Sequence, residues 1–444
     1  MKKDWISIKS LRKAYKTKTI SPVEVTNMIL DRVQAHNSRL NSLLTITGEQ
    51  ALEQAIKAEK MWLNKEASGL CGIPITYKDS IDVRGVRTTN GSLAFKNHVA
   101  NNDAQIVKTF QKQGAVTIGK AHLYEFAFGI TAENNGFGRA INPINDQWTA
   151  GGSSSGSATS VAAGFCSLSI GTDTAGSIRV PAACCHVVGF KPTFERWSMD
   201  GIFPLSSSLD HAGPIAASVE DVWLTMLAYD NQPLEMPSAT LKGVKIGIPR
   251  LKHPVREAVL RAWEKAGGLA QDEGAELVPV GFPDVTEYLE VAHHIASAES
   301  GIPHLNVKTD EYSEPVLRAL QTSAQVSAQA YILAQQKRQK LQTQIDDMLE
   351  EVDVLFLPAL PTDQPFLKQK AIAFDREVVK DIEEAFIWFT SLFNVTGHPA
   401  LCLPYRQKTG RNQIGFQLVG RRGEDKHVLK IGLAFEEIFR RDSN

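Results

Sequence analysis

Three segments carry residue types that could do chemistry, and the densest is Gly151-Gly-Ser-Ser-Ser-Gly-Ser157, which runs on into the small residues 158–164. A flexible linker has a similar composition. A linker, however, would not lead directly into an apolar helix and then Leu168-Ser-Ile170. A Gly-Ser turn that opens a helix presents unpaired backbone N–H groups and hydroxyls to a negatively charged group.

The second segment is Gly171-Thr-Asp-Thr-Ala-Gly-Ser177, followed by Ile178 and Arg179. Gly176 lets the backbone approach a ligand closely, and the N–H groups around Ala175 to Ser177 could converge on one oxygen. Such an arrangement is an oxyanion hole. An ordinary tight turn with a capping Ser explains the heptapeptide equally well, so the segment alone leaves both interpretations open.

The third segment places Lys78 inside the mainly apolar run Gly72 to Val83. Most lysines are solvated surface residues. Neighbours such as Ile73, Ile75 and Ile81 nevertheless make this a poor surface segment. A lysine buried there would favour its neutral amine, because desolvation penalises the ammonium, and a neutral amine is a usable general base.

In this order, the three segments resemble the amidase signature family. The serine-rich motif of that family is normally Gly-Gly-Ser-Ser-Gly-Gly-Ser, which Gly151 to Ser157 matches except at Ser155. The nucleophile of the family follows twenty-four residues after the first Ser of the motif; here it is Ser177, with Ala175 in place of a Gly. Further family-like segments are Lys120 to Gly129, Gly189 to Thr193, Ser208 to Pro214 and Asn394 to Ala400.

The resemblance implies a Ser-Ser-Lys triad. Ser177 is the nucleophile, Ser153 the bridging serine and Lys78 the terminal base. Lys78 takes a proton from Ser153 while Ser153 takes one from Ser177, and the reverse transfer protonates the leaving amine before water cleaves the acyl-enzyme. The resemblance also implies a cis peptide bond between Gly152 and Ser153.

The same resemblance assigns residues around the triad. The oxyanion would be held by the backbone N–H groups of Thr174, Ala175, Gly176 and Ser177. Around this loop we expect Ser154, Asp173 and Arg179. Ala175 retains an N–H group but requires a backbone conformation that accommodates a Cβ.

The segment Phe126 to Ile130 resembles the family loop that lines the acyl pocket. Two aromatic rings there would suit an apolar or aromatic acyl group, and a core-packing role for both Phe side chains fits as well. The pocket candidates are Phe126, Ala127, Phe128, Gly129 and Ile130.

Alternating helices and strands must position these residues. Ser21-Pro22-Val23-Glu24 is a capping box that opens a helix, and Ser218-Val-Glu-Asp221 opens another. Strands at 244–248 and 275–280 flank a helix from about Pro254 to Glu273, and residues 312–350 read as one long helix. Strands at 354–357, 399–403 and 414–419 precede a helix from about Asp425 to Arg440.

By the resemblance, the fold class is α/β: the amidase signature fold, a single compact α/β/α domain with a central mixed β-sheet between helical layers. We expect this domain to span 1–444. It would comprise an N-terminal helical layer at about 5–65, a catalytic core at about 70–230, and the C-terminal half of the sheet with its helices at about 240–444.

Composition excludes several classes of function. The 444 residues include 48 Lys plus Arg and 49 Asp plus Glu, a formal net charge of -1, so no basic field attracts nucleic acid. No stretch reaches the ~18 apolar residues of a membrane span, and the charged N-terminus lacks a signal peptide's apolar region. We therefore expect a cytoplasmic protein without nucleic-acid or membrane partners, acting on a small-molecule amide; a homodimer is left open.

We expect no metal and no cofactor. The five cysteines lack CxxC spacing, and Cys184 and Cys185, if they lay on a strand, would point to opposite faces and could not share one ion. The mechanism implied by the resemblance needs no histidine, and His398 in Thr-Gly-His-Pro reads as a packed loop residue.

Other functions remain as alternatives. Gly152-Ser-Ser-Ser-Gly156 also fits the G-x-S-x-G motif of α/β-hydrolases with Ser154 as nucleophile, but residues 145–150 are a poor strand. A binding protein would not need the intact triad. The glutaminase subunit of a glutamyl-tRNA amidotransferase would carry a Tyr-Asp-Gly segment after Ser300, which is absent, and an allophanate hydrolase would carry an extra C-terminal domain. We therefore expect a free-standing amidase.

Overall fold

The computed structural model describes residues 6–307, 309–363, 366–367, 369, 371–374, 377–379, 381–406 and 413–443. Residues 1–5, on which part of the expectation about location rests, lie outside this range. In the first half of the chain the elements are α1 (Ile8–Lys16), α2 (Pro22–Leu40), β1 (Leu43–Ile46), α3 (Gly48–Leu63), β2 (Pro74–Lys78), α4 (Gln105–Lys112), β3 (Val116–Ala121), α5 (Ser155–Ala163), β4 (Leu168–Asp173), α6 (Arg179–Cys185), β5 (Val188–Lys191), β6 (His211–Ala216) and α7 (Val219–Tyr229).

The second half contributes a further set of helices and strands. They are β7 (Lys245–Pro249), α8 (Glu257–Asp272), β8 (Glu276–Val280), α9 (Val285–Ser300), α10 (Glu314–Ser323), α11 (Ala328–Glu351), β9 (Val354–Pro358), β10 (Ile372–Phe374), β11 (Glu377–Val379), α12 (Ile382–Ile387), α13 (Leu392–Val395), β12 (Ala400–Arg406), β13 (Gln413–Val419) and α14 (Asp425–Ser443).

Within the described residues, eleven strands form one mixed sheet in the order β1-β3-β2-β4-β6-β5-β12-β13-β9-β7-β8. β2 pairs in parallel with β3 and β4, whereas the central strands from β4 to β9 are antiparallel. Helices pack against this sheet, so the expectation of an α/β domain with a large mixed sheet is confirmed. None of the described helices is long and apolar enough to cross a membrane.

The parallel pair β2 and β4 positions the chemistry-bearing segments. Tyr77 of β2 lies opposite Ile170 of β4, so Lys78 at the end of β2 lies close to the end of β4. The serine-rich turn leads into α5, which is buried along its whole length and packs against β4 and β2. Small side chains are required here because the helix lies within the core.

The local signals of the sequence explain most helix starts. The Ser21 capping box and the Ser218 cap both form. The long helix expected over 312–350 is wrong: the structure has α10 and α11 instead, because the Ser327 side chain accepts a hydrogen bond from the Ala330 N–H and starts a new helix. The sequence patterns do not predict α9 or the β10-β11 hairpin.

Gly156 provides a test of this packing. A Cβ built on Gly156 would lie 2.1 Å from the backbone nitrogen of His122 and 2.3 Å from the carbonyl oxygen of Ser42, whereas one on Gly268 in α8 would meet nothing within 4 Å. We expect Gly156→Ala to lower the free energy of unfolding by about 1–3 kcal/mol. Gly268→Ala should raise it by about 0.5–1 kcal/mol, because alanine restricts the unfolded chain. Chemical denaturation checks both, and equal effects of the two variants would contradict the packing argument.

Candidate active site

Lys78 lies fully buried at the end of β2. Its Nζ is 2.7 Å from Ser153 Oγ and 2.7 Å from Thr172 Oγ1. Among the described residues, no carboxylate lies within ion-pair distance of this nitrogen. The amine is therefore held by two hydroxyl groups, without a counter-ion in direct contact.

This environment changes the proton affinity of Lys78. Burial lowers the pKa of Lys78 to about 7, although the more distant carboxylates of Asp210 and Asp173 act in the opposite direction. A substantial fraction of the amine is thus neutral near pH 7. A neutral amine can accept a proton from the Ser153 hydroxyl, since its lone pair is free.

The serine-rich turn brings Ser153 to this amine. The peptide bond between Gly152 and Ser153 is cis, as the resemblance implied. Gly152 packs so closely that a Cβ there would lie 2.0 Å from the Thr131 carbonyl oxygen. The adjoining Ser154 N–H donates to the Ser177 carbonyl oxygen at 3.2 Å, so the turn and the Ser177 loop are directly linked.

The Asp173 carboxylate organises the Ser177 loop. Its Oδ1 accepts from the Gly176 N–H at 2.7 Å, and its Oδ2 accepts from the Ile178 N–H at 3.1 Å. Gly176 has a φ of 140°, a left-handed value that favours glycine, whereas Ala175 adopts no positive φ. The Cβ of Ala175 is therefore accommodated without strain.

Of the four backbone N–H groups expected to hold an oxyanion, one is already engaged. Because the Gly176 N–H already donates to Asp173, it is not free to bind an oxyanion. In the part of the chain that the structure describes, the N–H groups of Thr174, Ala175 and Ser177 have no hydrogen-bond acceptor. The Thr174 hydroxyl donates to Asp210 Oδ1 at 2.5 Å.

A buried ion pair lies beneath the loop. The Arg179 guanidinium contacts the Asp173 carboxylate at 3.0 Å, and both side chains are fully buried. Burial raises the pKa of Asp173, but the positive charge of Arg179 outweighs this and holds the pKa below its usual range. Asn394 and Gln417 accept further hydrogen bonds from Arg179, at 2.6 and 3.2 Å. The loop is thus fixed by a fully bonded charge pair.

Ser154 occupies a different environment from Ser153 and Ser177. It is fully buried at the start of α5, and its Oγ lies 3.1 Å from the Thr172 carbonyl oxygen. Residues 143–154 form turns and no strand. The nucleophile of an α/β-hydrolase requires a preceding strand and an exposed Oγ, so both observations disfavour that alternative.

Ser177, Thr174 and Ala175 lie on the wall of a cleft of about 750 Å³. The loop 127–130 forms part of the same wall, and the cleft-facing side of α9 forms another. Phe128 lines the cleft, but Phe126 does not: its ring is buried in a separate aromatic cluster with Tyr312 and Phe203. Phe128 therefore lines the cleft and also packs against this cluster, whereas Phe126 is buried within it.

The expectations for His398, Cys184 and Cys185 concern how these side chains pack. His398 is buried between Thr396 Oγ1 and Asp346 Oδ1, at 2.9 and 3.1 Å, which confirms the packed-loop interpretation. Cys184 and Cys185 end helix α6 and do not lie on a strand, so the argument from opposite strand faces does not apply. Within the described ranges, no cluster of His, Cys, Asp or Glu could hold a metal ion.

Sequence reasoning misses several residues near the site. Thr172 stands within the Gly171 to Ser177 segment without a distinguishing signal, and Asp210 stands within a family-like segment. Burial raises the pKa of Asp210 to about 6, and its carboxylate accepts from the Leu205 and Ser206 N–H groups. No sequence pattern distinguishes the cleft-facing side of α9, because its residues resemble those of any packed helix.

Comparison with known proteins gives independent evidence for the family to which this chain belongs. The Amidase family profile matches residues 24–429. The A subunit of the glutamyl-tRNA(Gln) amidotransferase from Geobacter sp. (strain M21) is 33% identical over 97% of this chain and 96% of its own length. The corresponding protein from Caldanaerobacter subterraneus subsp. tengcongensis is 30% identical over 99% of this chain and 97% of its own length.

Solved structures give the same family with different members. A crystal structure of an amidase superposes with a TM-score of 0.91 at 30% identity, covering 98% of this chain and 100% of that one. The glutamyl-tRNA(Gln) amidotransferase A subunit of Thermotoga maritima gives a TM-score of 0.76 at 27% identity, covering 94% and 91%. Fold, sequence and profile agree that this chain is an enzyme of the amidase signature family.

Proposed function

We propose that this protein hydrolyses carboxamides through an acyl-enzyme on Ser177, with Ser153 as the proton relay and Lys78 as the base. The observation that carries the proposal is the buried Lys78 Nζ, 2.7 Å from Ser153 Oγ, with a pKa lowered to about 7 by burial. Ser177 adds a hydroxyl at the cleft wall, next to three unengaged backbone N–H groups, those of Thr174, Ala175 and Ser177 itself.

The proposed reaction begins with proton transfer away from Ser177. Lys78 accepts the Ser153 hydroxyl proton as Ser153 accepts that of Ser177, and Ser177 Oγ attacks the carbonyl carbon. The unengaged N–H groups of Thr174, Ala175 and Ser177 are the candidates that stabilise the oxyanion. The proton then returns through Ser153 to the leaving nitrogen, and water repeats the sequence to release the acid.

Thr172 has a supporting role in this proposal. A neutral amine has two N–H donors and one lone pair. If one N–H donates to Thr172 Oγ1, at 2.7 Å, the lone pair is free to face the Ser153 hydroxyl. Thr172 would thus orient the base, while the Asp173 and Arg179 pair holds the nucleophile loop.

A second candidate is a glutaminase subunit of an amidotransferase, which the identity to such subunits favours. The charges of the cleft argue against glutamine. Among the described residues that line it, none is Lys or Arg, and four are acids: Glu290, Asp381, Glu383 and Glu384. The α-carboxylate of glutamine would therefore find no Lys or Arg in this lining to bind it, although the acids would attract its α-ammonium. We therefore propose a free-standing amidase for uncharged amides.

Replacement of the nucleophile tests the triad directly. Ser177→Ala should reduce kcat/KM for an amide by about 10⁴-fold or more, because no acyl-enzyme can form. A fluorophosphonate probe should label the peptide that contains Ser177 in the wild type and not in this variant, as mass spectrometry would show. Ser154→Ala is the adjacent control and should still be labelled at Ser177; labelling lost in Ser154→Ala but kept in Ser177→Ala would support the hydrolase alternative.

The pH dependence tests Lys78. Only the neutral amine is a base, so kcat/KM for an amide should rise with pH and level off above a midpoint near 7. The buried His122 cannot produce this rise, since burial lowers its pKa to about 4. In Lys78→Met, residual hydrolysis of a p-nitrophenyl ester should lose the rise. Amide hydrolysis should fall further than ester hydrolysis, because the phenolate leaves without a proton; an unchanged amide rate would overturn the assignment.

Assays of the single chain separate the two candidate functions. The purified chain should hydrolyse a neutral primary amide without ATP or another protein, and its kcat/KM for glutamine should be at least ten-fold lower. Ammonia release measures both. Preference for glutamine, or activity only with amidotransferase partner proteins, would favour the glutaminase.

A further inference from the structure

One side of α9 forms a long wall of the cleft. Leu289, Ala292, Ala296 and Ser300 succeed one another at helical spacing on this side. Three of the four are small, and the space in front of them belongs to a cleft of about 750 Å³. Cavities of this size hold ligands much larger than a two-carbon acyl group.

We propose that the cleft selects primary carboxamides with a bulky, uncharged, apolar acyl group, and that the small residues of α9 set the size limit. This inference rests on the proposed function, since it takes Ser177 as the nucleophile. The reaction transfers the acyl group to Ser177 Oγ as the C–N bond breaks. The Ser177 proton reaches the nitrogen through Ser153 and Lys78, ammonia leaves, and water then releases the carboxylic acid.

Apolar side chains also line the other walls of the cleft, beside the acids Asp381, Glu383 and Glu384. Phe128 and Ile130 belong to the loop that precedes the serine-rich turn, Leu205 and Leu209 lie on another side, and Ile387 comes from α12. Burial of an acyl chain against such side chains contributes roughly 0.8 kcal/mol for each CH₂ group. Longer and bulkier acyl groups should therefore bind better until they reach α9.

The bulky group is assigned to the acyl side because of where the proton relay lies. The leaving nitrogen must receive its proton from Ser153, so it faces Ser153. Ser153 and Lys78 are fully buried and do not line the cleft. Gly152, beside them, packs against the Thr131 carbonyl oxygen. A substituent on the nitrogen would point at this closed side, whereas the acyl group extends into the cleft.

α9 is held in place by its other faces. Tyr288, Val291 and Ile295 are buried. Near its end, the Glu299 carboxylate accepts hydrogen bonds from Ser206 Oγ at 2.6 Å and Tyr331 Oη at 2.8 Å. The wall is therefore rigid, and an added side chain at Ala296 projects into the cleft without displacing the helix.

The experiment measures kcat/KM for straight-chain primary amides from acetamide to octanamide. In the wild type, the ratio of octanamide to acetamide should be at least ten. In Ala296→Phe this ratio should fall at least ten-fold, because the ring fills the space in front of α9. Ala298→Phe is the control on the same helix, outside the cleft lining, and should leave the ratio unchanged.

A variant that enlarges the cleft and the labelling of Ser177 provide two further tests. Leu289→Ala enlarges the cleft and should raise the octanamide to acetamide ratio at least three-fold, even if Ala296→Phe folds poorly. The inference would be overturned if the octanamide to acetamide ratio stayed constant in all variants. It would also be overturned if kcat/KM depended on alkyl-chain length only for N-alkyl acetamides. In either case, labelling of Ser177 would still support the proposed function. If no amide is hydrolysed and Ser177 is not labelled, the proposed function itself has failed.

Discussion

The structure depends on the removal of one lysine from water. Lys78 is surrounded by the core at the end of a central strand, and its nitrogen meets two hydroxyl oxygens and no carboxylate at ion-pair distance among the described residues. The next lysine on the neighbouring strand shows the contrast. Lys120 is equally buried but lies 3.0 Å from Asp79 Oδ1. Burial lowers the pKa of both lysines, but at Lys120 a direct counter-ion opposes this, whereas the nitrogen of Lys78 is hydrogen-bonded to hydroxyl groups.

The loop that carries Ser177 depends on a second buried charge, which is fully paired. Asp173 accepts hydrogen bonds from the loop backbone, and Arg179 neutralises it. Loss of either partner would leave a charge uncompensated in the core, at a cost of about 3–5 kcal/mol. The same carboxylate engages the Gly176 N–H, while the N–H groups of Thr174, Ala175 and Ser177 beside it stay unengaged among the described residues. The ion pair of Asp173 and Arg179 therefore determines the geometry of the Ser177 loop and also contributes to the stability of the fold.

Much of this arrangement could be predicted from the sequence, because it follows from local signals. The caps at Ser21 and Ser218 fix helix starts by bonding within four residues, and the apolar neighbours of Lys78 indicate its burial. The orientation of the Gly176 N–H could not be predicted, since it depends on where the Asp173 side chain lies in three dimensions.

The walls of the cleft likewise could be predicted only in part from the sequence. Phe126 and Phe128 are two residues apart and chemically identical, yet Phe126 adopts a φ of 49° and packs in a separate core. The sequence patterns predict neither α9 nor the cavity that one of its faces borders. A helix that lines a cavity and a helix that packs in a core have the same sequence pattern.

The hydrogen bonds of Arg179 affect the order in which the parts of a growing chain reach their final structure. Its acceptors on Asn394 and Gln417 lie 215 and 238 residues further along the chain. β12, which separates β5 from β13 in the sheet, also comes from this late part. While a ribosome makes the chain from its N-terminus, Ser177, Ser153 and Lys78 emerge long before these partners. The support of the Ser177 loop is thus completed only near the end of synthesis, so a nascent chain carries Lys78, Ser153 and Ser177 before it carries the partners that hold this loop.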